Sequence, residues 1–174
     1  ELDETATVEE SSATYTEYTL ISDDTGAMQV EVPVEWSDID GAPYVDAEGR
    51  NITDVRAAPD LTGFLETWGT PGMIFSASSA WAESTSEEAL LDLYLDSLET
   101  QCTYDDRYVY EDPAYNGFYD LYFECGDTLA TYVVVAAQPP EGGFIILVQV
   151  QANEDRDFDA LDRILASFFV SGDV

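Results

Sequence analysis

Carboxylates are the only side chains present in number that can carry acid–base chemistry in this chain. Its 174 residues hold 37 Asp and Glu against five Arg, with no Lys and no His. Carboxylate pairs drive glycoside hydrolysis and aspartic proteolysis. The tripeptide Asp24-Thr25-Gly26 matches the aspartic-protease signature. That chemistry needs two such loops sharing one proton, however, and here a single copy falls at the tip of an expected hairpin, so turn chemistry is the reading adopted. Asp38-x-Asp40-Gly41, followed by Asp46 and Glu48, offers several oxygens to a hard cation such as calcium. The spacing is not that of an EF-hand, and a solvated acidic loop is the simpler account. The missing His and Lys exclude Ser-His-Asp and Cys-His sites, Schiff-base and P-loop lysines, and His-ligated metals. No catalytic, cofactor-binding or metal-ligating residue is therefore assigned, and no cofactor is expected.

Cys102 and Cys125 are compatible with one disulfide, with two buried free thiols as the alternative. A hairpin turn centred between Pro113 and Ala114 makes opposed residues sum to 227, which sets Cys102 against Cys125, Tyr104 against Phe123, Arg107 against Asp120 and Tyr108 against Tyr119. The pair then reads as a staple rather than a redox site, since there is no C-x-x-C spacing and no nearby base to lower a thiol pKa. The tyrosines at 104, 108, 110, 115, 119 and 122 suit either a recognition face or cross-strand packing, and packing is preferred because alternate members share a face with Cys102, Leu121 and Phe123. Asn51-Ile52-Thr53 is a formal glycosylation sequon.

The formal charge of −32 argues against nucleic acid or an anionic membrane surface as partner, because both require Lys or Arg to displace counterions. At 45% hydrophobic and 13% aromatic the chain has the material for one core. Its longest apolar runs, Tyr132 to Ala137 and Phe144 to Val148, fall far short of a bilayer span. Residues 1–14 have the composition of an acidic linker or tail, and residues 15–174 that of a single domain. Because the chain opens at Glu1 without a Met or a leader, a mature or trimmed fragment is expected.

The elements follow from periodicity. Tyr18 to Ser22 and Met28 to Val34 flank the Asp23–Gly26 turn signal; residues 37–59 look irregular; and a short helix with Asp60 as N-cap carries Leu61, Phe64, Leu65 and Trp68. Met73 to Ser79 is a strand, and Ser86 to Thr100 an amphipathic helix with Glu87 and Glu88 at its positive end. On that helix Glu88, Asp92, Asp96 and Glu99 form a like-charge stripe with no base to relieve it, which implies screening salt, a cationic partner or tolerance of the cost. Four strands, Thr103 to Tyr110, Phe118 to Cys125, Leu129 to Gln138 and Phe144 to Gln151, make an antiparallel meander. A closing helix bears Phe158, Leu161, Ile164, Leu165, Phe168 and Phe169, with Asp159 four residues before Arg163. The last two strands are apolar on both faces and need a cover on each. The expected class is α+β: an α/β/α sandwich around an antiparallel sheet of about six or seven strands.

In this order, the hairpin, Val32-Pro33-Val34-Glu35-Trp36, the Pro71-Gly72 strand entry, the mid-chain helix, the meander and the closing helix resemble the PsbP-like superfamily over residues 15 to 170. That superfamily includes the extrinsic PsbP subunit of photosystem II, a Ran-GTPase-binding factor and secreted lipoproteins of the LpqN type. The stretch from Cys102 through Tyr110-Glu111-Asp112-Pro113 to Cys125 looks like a domain of secreted bacterial proteins that is sometimes appended to trypsin-like serine proteases. The resemblance implies a non-catalytic docking or assembly role. The expectation is a non-enzymatic, monomeric, extracytoplasmic accessory domain of a secreted or surface-anchored protein. Its partner would be a protein, cationic or reached through a covalent upstream domain, without nucleic acid and without membrane insertion by this segment. The alternatives are a small-ligand or calcium module using Asp38 to Glu48 or a tyrosine-lined cleft, and then a carboxylate hydrolase.

Overall fold

The computed structural model describes residues 13–174; most of the expected acidic tail, residues 1–12, lies outside the described residues. The chain runs β1 (Tyr18–Ser22), β2 (Met28–Pro33), β3 (Asp38–Asp40), β4 (Tyr44–Val45), β5 (Asn51–Ala58), α1 (Leu61–Glu66), β6 (Gly72–Ser78), α2 (Ser79–Ser84), α3 (Glu87–Leu98), β7 (Thr103–Glu111), β8 (Asn116–Cys125), β9 (Ala130–Gln138), β10 (Ile145–Ala152), α4 (Asp155–Ser167) and β11 (Phe169–Val170). The fold is α+β. Its main sheet has eight antiparallel strands in the order β3-β5-β6-β10-β9-β8-β7, with β4 added beside β5.

The alternation in β9 and β10 divides the core. Val133, Val135, Ile146 and Val148 face one side, where α4 and a second sheet cover them. Val134, Ala136, Ile145 and Leu147 face the other, beneath α1, α2 and α3. Helices thus lie on both faces, as expected, but the strand count differs from six or seven for two reasons. The opening hairpin is not in the main sheet. Met28, Val30 and Val32 are fully buried while Gln29 and Glu31 between them are only half-buried, so β2 packs one face inward as a separate layer and pairs with β1 and β11. Residues 37–59 are also not irregular: β5 pairs with β6 over Thr53–Ala57. Its Asp, Arg and Ala are weak strand formers, and the ladder with β6, together with an Asp54–Arg56 ion pair, overrides that preference.

Local signals account for the helices. Ser86 caps α3 by accepting from the Ala89 N–H, with Glu87 and Glu88 in the first turn. At α1, Asp60 occupies the N-cap position without capping; Asp38 instead accepts the Leu61 N–H at 2.8 Å. Trp68 lies beyond the end of α1, and Leu65 is exposed. At α4, buried Asp157 accepts the N–H groups of Asn153 and Glu154, both at 2.9 Å, and the Tyr15 hydroxyl at 2.6 Å. The indole of Trp36 donates to the same hydroxyl at 3.0 Å. The Pro-x-x-Trp segment therefore locks the start of the domain to the N-terminus of α4, and burial beside Asp157 pushes the Tyr15 pKa well up. Arg163 does not pair with Asp159; it reaches Glu31 on β2 and lies over the Tyr18 ring, 4.5 Å from its centroid.

Candidate functional site

Cys102 and Cys125 form a disulfide that ties the start of β7 to the end of β8. Arg107 faces Asp120 and Tyr108 stacks on Tyr119, in the expected register. Tyr104 does not follow it: it pairs with Tyr122 rather than Phe123, because the ladder slips by one between Tyr104 and Asp106. A second irregularity at Glu124, at φ 50°, restores the offset before Cys125. Each bulge inserts one unpaired residue, and the first reverses the facing of everything beyond it. The tyrosines therefore divide between faces. Tyr104 and Tyr122 pack with the disulfide on the α3 side, whereas Tyr110, Tyr115 and Tyr119 pack with Leu121 on the α4 side. The six tyrosines thus do not form one common face with Cys102, Leu121 and Phe123, and Phe123 is partly exposed.

Four carboxylates are buried in separate sockets. Asp23 accepts from Met28 N–H at 2.8 Å and from the Thr25 N–H and hydroxyl, so Asp24-Thr25-Gly26 is a hairpin turn, with Gly26 at φ 76°. Asp157 caps α4. Asp120 takes Arg107 through Nε at 2.8 Å and a second nitrogen at 2.9 Å, and this contact holds the guanidinium above its ordinary range. Asp54 accepts from Ser76 Oγ at 2.5 Å and Arg56 Nε at 2.6 Å, and burial raises its pKa despite both partners. Around the Asp38–Glu48 loop, Asp38 is spent on α1 and Asp40 on the Ala42 N–H. Asp46 binds Arg50 at 2.7 Å, which helps hold its carboxyl below the usual range against the opposing effect of desolvation. Among the described residues no three carboxylates converge as metal ligands. Asn51 stands exposed at the start of β5.

The acidic stripe on α3 is relieved from outside the helix: Arg107 on β7 reaches Asp92 at 2.9 Å. All five arginines pair with carboxylates of the chain, Asp46, Asp54, Asp120, Glu154 and Glu31, the last two at the surface.

The polar end of the α3-side sheet face is a concave feature that brings several elements together. Tyr132 on β9, Gln149 and Gln151 on β10 and Ser76 on β6 are all buried there. The Tyr132 hydroxyl donates to Gln149 at 2.9 Å, and Gln151 donates to Asn153 at 3.1 Å. Tyr94 of α3 and Tyr44 of β4 close the upper side, where burial pushes Tyr44 up to about 12 and raises Tyr94. Beside this row, a cleft of about 190 Å³ opens between the end of α1, Trp68 and the sheet.

No protein-family model and no curated protein matches the chain. Among solved structures it is similar to the solution structure of cyanobacterial PsbP (CyanoP) from Synechocystis sp. PCC 6803, with 14% identity, 88% of this chain and 92% of that chain covered, and a TM-score of 0.47.

Sequence reasoning missed this polar row. The available signal was period two: Gln149 and Gln151 interrupt an apolar strand on one face only, and Asp54 and Arg56 do the same on β5. Trp68, expected on a helix face, stands instead in the loop after α1, where Asn153 Nδ2 donates to its carbonyl at 2.7 Å.

Proposed function

We propose that this domain is a non-enzymatic binding module of a secreted or surface-anchored protein, held outside the cytoplasm and engaging a cationic protein partner. The observation that carries this reading is the fate of the arginines. All five pair with carboxylates of the chain itself, so among the described residues no arginine is left without an acidic partner, in a chain of 37 acids and five bases. Such a surface accelerates encounter with basic partners and repels acidic ones. The disulfide supports an oxidising compartment, and among the described residues no helix is long and apolar enough to cross a membrane. Residues 1–14 serve in this reading as the tether, either to an anchor, as in LpqN-type lipoproteins, or to a catalytic domain, as in protease-appended domains. Cross-linking in the native envelope tests it. The expected product is a defined partner with a basic contact face, whose reconstituted affinity for the purified domain falls steeply with salt. Recovery of no partner, or an affinity indifferent to salt, refutes it.

A further inference from the structure

The cleft beside Trp68 has a lining that selects a ligand class. Phe64, Trp68 and Tyr132 supply three aromatic walls, Gln101 and Gln151 supply neutral amides, and Glu66 carries the one charge. Trp68 and Tyr132 stand at 90°, with centroids 5.5 Å apart, so their planes make two sides of a box. The box is held in place before any ligand arrives. The indole Nε1–H of Trp68 donates to Gln101 at 3.3 Å and the Trp68 carbonyl accepts from Asn153, while the Tyr132 hydroxyl is tied to Gln149. Two glycines let the rings lie close to the backbone: a Cβ at Gly72 would come within 2.5 Å of the Phe64 ring, and one at Gly126 within 2.7 Å of the indole.

Aromatic faces are electron-rich, and a cation over them is attracted most strongly when it sheds little hydration on entry. No arginine lines the cleft. Arg56, across the β5–β6 ladder from Ile74 in the cleft wall, is neutralised by Asp54 and turned over Tyr44. An anion would find only neutral amides here and a repelling Glu66, and a hard metal ion would find a single carboxylate. A pyranose stacks on one flat ring face, which two perpendicular rings cannot both offer. A compact, weakly hydrated cation can touch both. We propose that this cleft is a binding site for small quaternary ammonium compounds of the choline type, with Trp68, Tyr132 and Phe64 as the cage and Glu66 as the counter-charge.

The test is a titration of the full chain with choline chloride in molar sodium chloride, which suppresses diffuse ion binding to the acidic surface, followed by calorimetry and tryptophan fluorescence. The neutral isostere 3,3-dimethylbutan-1-ol and glucose are titrated alongside. The expected result is saturable choline binding, weaker by about tenfold for the neutral isostere and by about tenfold or more in Trp68→Leu. Glu66→Gln should weaken it a few-fold, and Trp68→Phe should keep most of it; both serve should Trp68→Leu fail to fold. Absence of saturable choline binding, equal binding of the isostere, preference for glucose, or binding unchanged by both Trp68→Leu and Glu66→Gln overturns the assignment.

Discussion

Replacing Asp120 by Asn sets two electrostatic effects against each other. The substitution takes the net charge from −32 to −32 + 1 = −31, and if general repulsion governed stability it would help. Asp120, however, is fully buried and holds Arg107 through two hydrogen bonds at 2.8 and 2.9 Å, with the Tyr104 hydroxyl at 3.3 Å. Breaking a buried pair by removing one partner costs about 3–5 kcal/mol. Arg107 is 22% exposed and keeps Asp92, which reduces the expected loss for Asp120→Asn to about 2–3 kcal/mol. Arg107→Met should cost more, about 3–5 kcal/mol, because it strands a fully buried carboxylate with one hydroxyl. Asp96→Asn is the control: it makes the same change in charge on the exposed side of α3 and should stay within about 0.5 kcal/mol of the parent. Urea unfolding, which leaves ionic strength free as a variable, is run in dilute and in molar KCl. The Asp120→Asn deficit should persist in high salt, because the pair is shielded from solvent, while the parent and the Asp96→Asn variant should converge as their surface repulsion is screened. If Asp120→Asn proves as stable as Asp96→Asn at both salt concentrations, the pair is not a net stabiliser and the reasoning fails.

Reduction of the Cys102–Cys125 bridge, 23 residues apart in sequence, should lower unfolding free energy by about 3 kcal/mol; denaturation with and without dithiothreitol measures it, and an unchanged midpoint would contradict the staple role. Gly117→Ala should destabilise by about 3 kcal/mol or prevent folding, since its Cβ would sit 2.1 Å from the Ala136 carbonyl oxygen and 2.6 Å from the Ala137 Cα, both backbone atoms of the neighbouring central strand; thermal unfolding reads this directly. Raising the pH should unfold the protein cooperatively. An ordinary tyrosine ionises near 10, whereas Tyr44 is held up to about 12, chiefly by burial, and Tyr15, Tyr110, Tyr122 and Tyr132 higher still. The unfolded chain therefore loses protons first, so stability is full below about pH 10 and falls as pH rises through the native values. No lysine complicates the signal. Tyrosinate absorbance and far-UV circular dichroism should change together, and a tyrosinate midpoint near 10 with intact secondary structure would refute it.

Where a residue pattern was decided by neighbours close in sequence, it could be read without the structure. The acidic first turn of α3, the two-faced apolar strands β9 and β10 and the Arg107–Asp120 pairing depend on local chemistry or on a single hairpin register. What could not be read depends on partners distant in the chain. β5 is a strand because β6 and β3 flank it, and its Asp54–Arg56 pair is acceptable in a buried sheet only because Ser76, from β6, takes the second carboxylate oxygen. The hairpin leaves the main sheet because α4 and β11, more than 120 residues later, complete its own layer. The bulges at Asp105 and Glu124 have no composition signature, yet they decide which tyrosines share a face.

The same distinction separates the acids that hold the fold from those that describe its surroundings. Asp23, Asp54, Asp120 and Asp157 are buried, and each is met by donors that the folded chain delivers: the amides of its own turn for Asp23, then a serine and an arginine, a bidentate guanidinium, and a helix N-terminus with a tyrosine. A carboxylate in such a socket contributes specificity because any other register would leave it unpaired at a cost of about 1–3 kcal/mol or more. The exposed acids meet no such condition and can accumulate up to the limit that repulsion allows. With every arginine already paired to a carboxylate of the chain, each further acid adds its full charge to the surface field. The fold thus carries extreme acidity with Arg56 and Arg107 spent on buried Asp54 and Asp120 and the more exposed Arg156 and Arg163 on surface glutamates, and the remaining charge is free to act on whatever cation approaches.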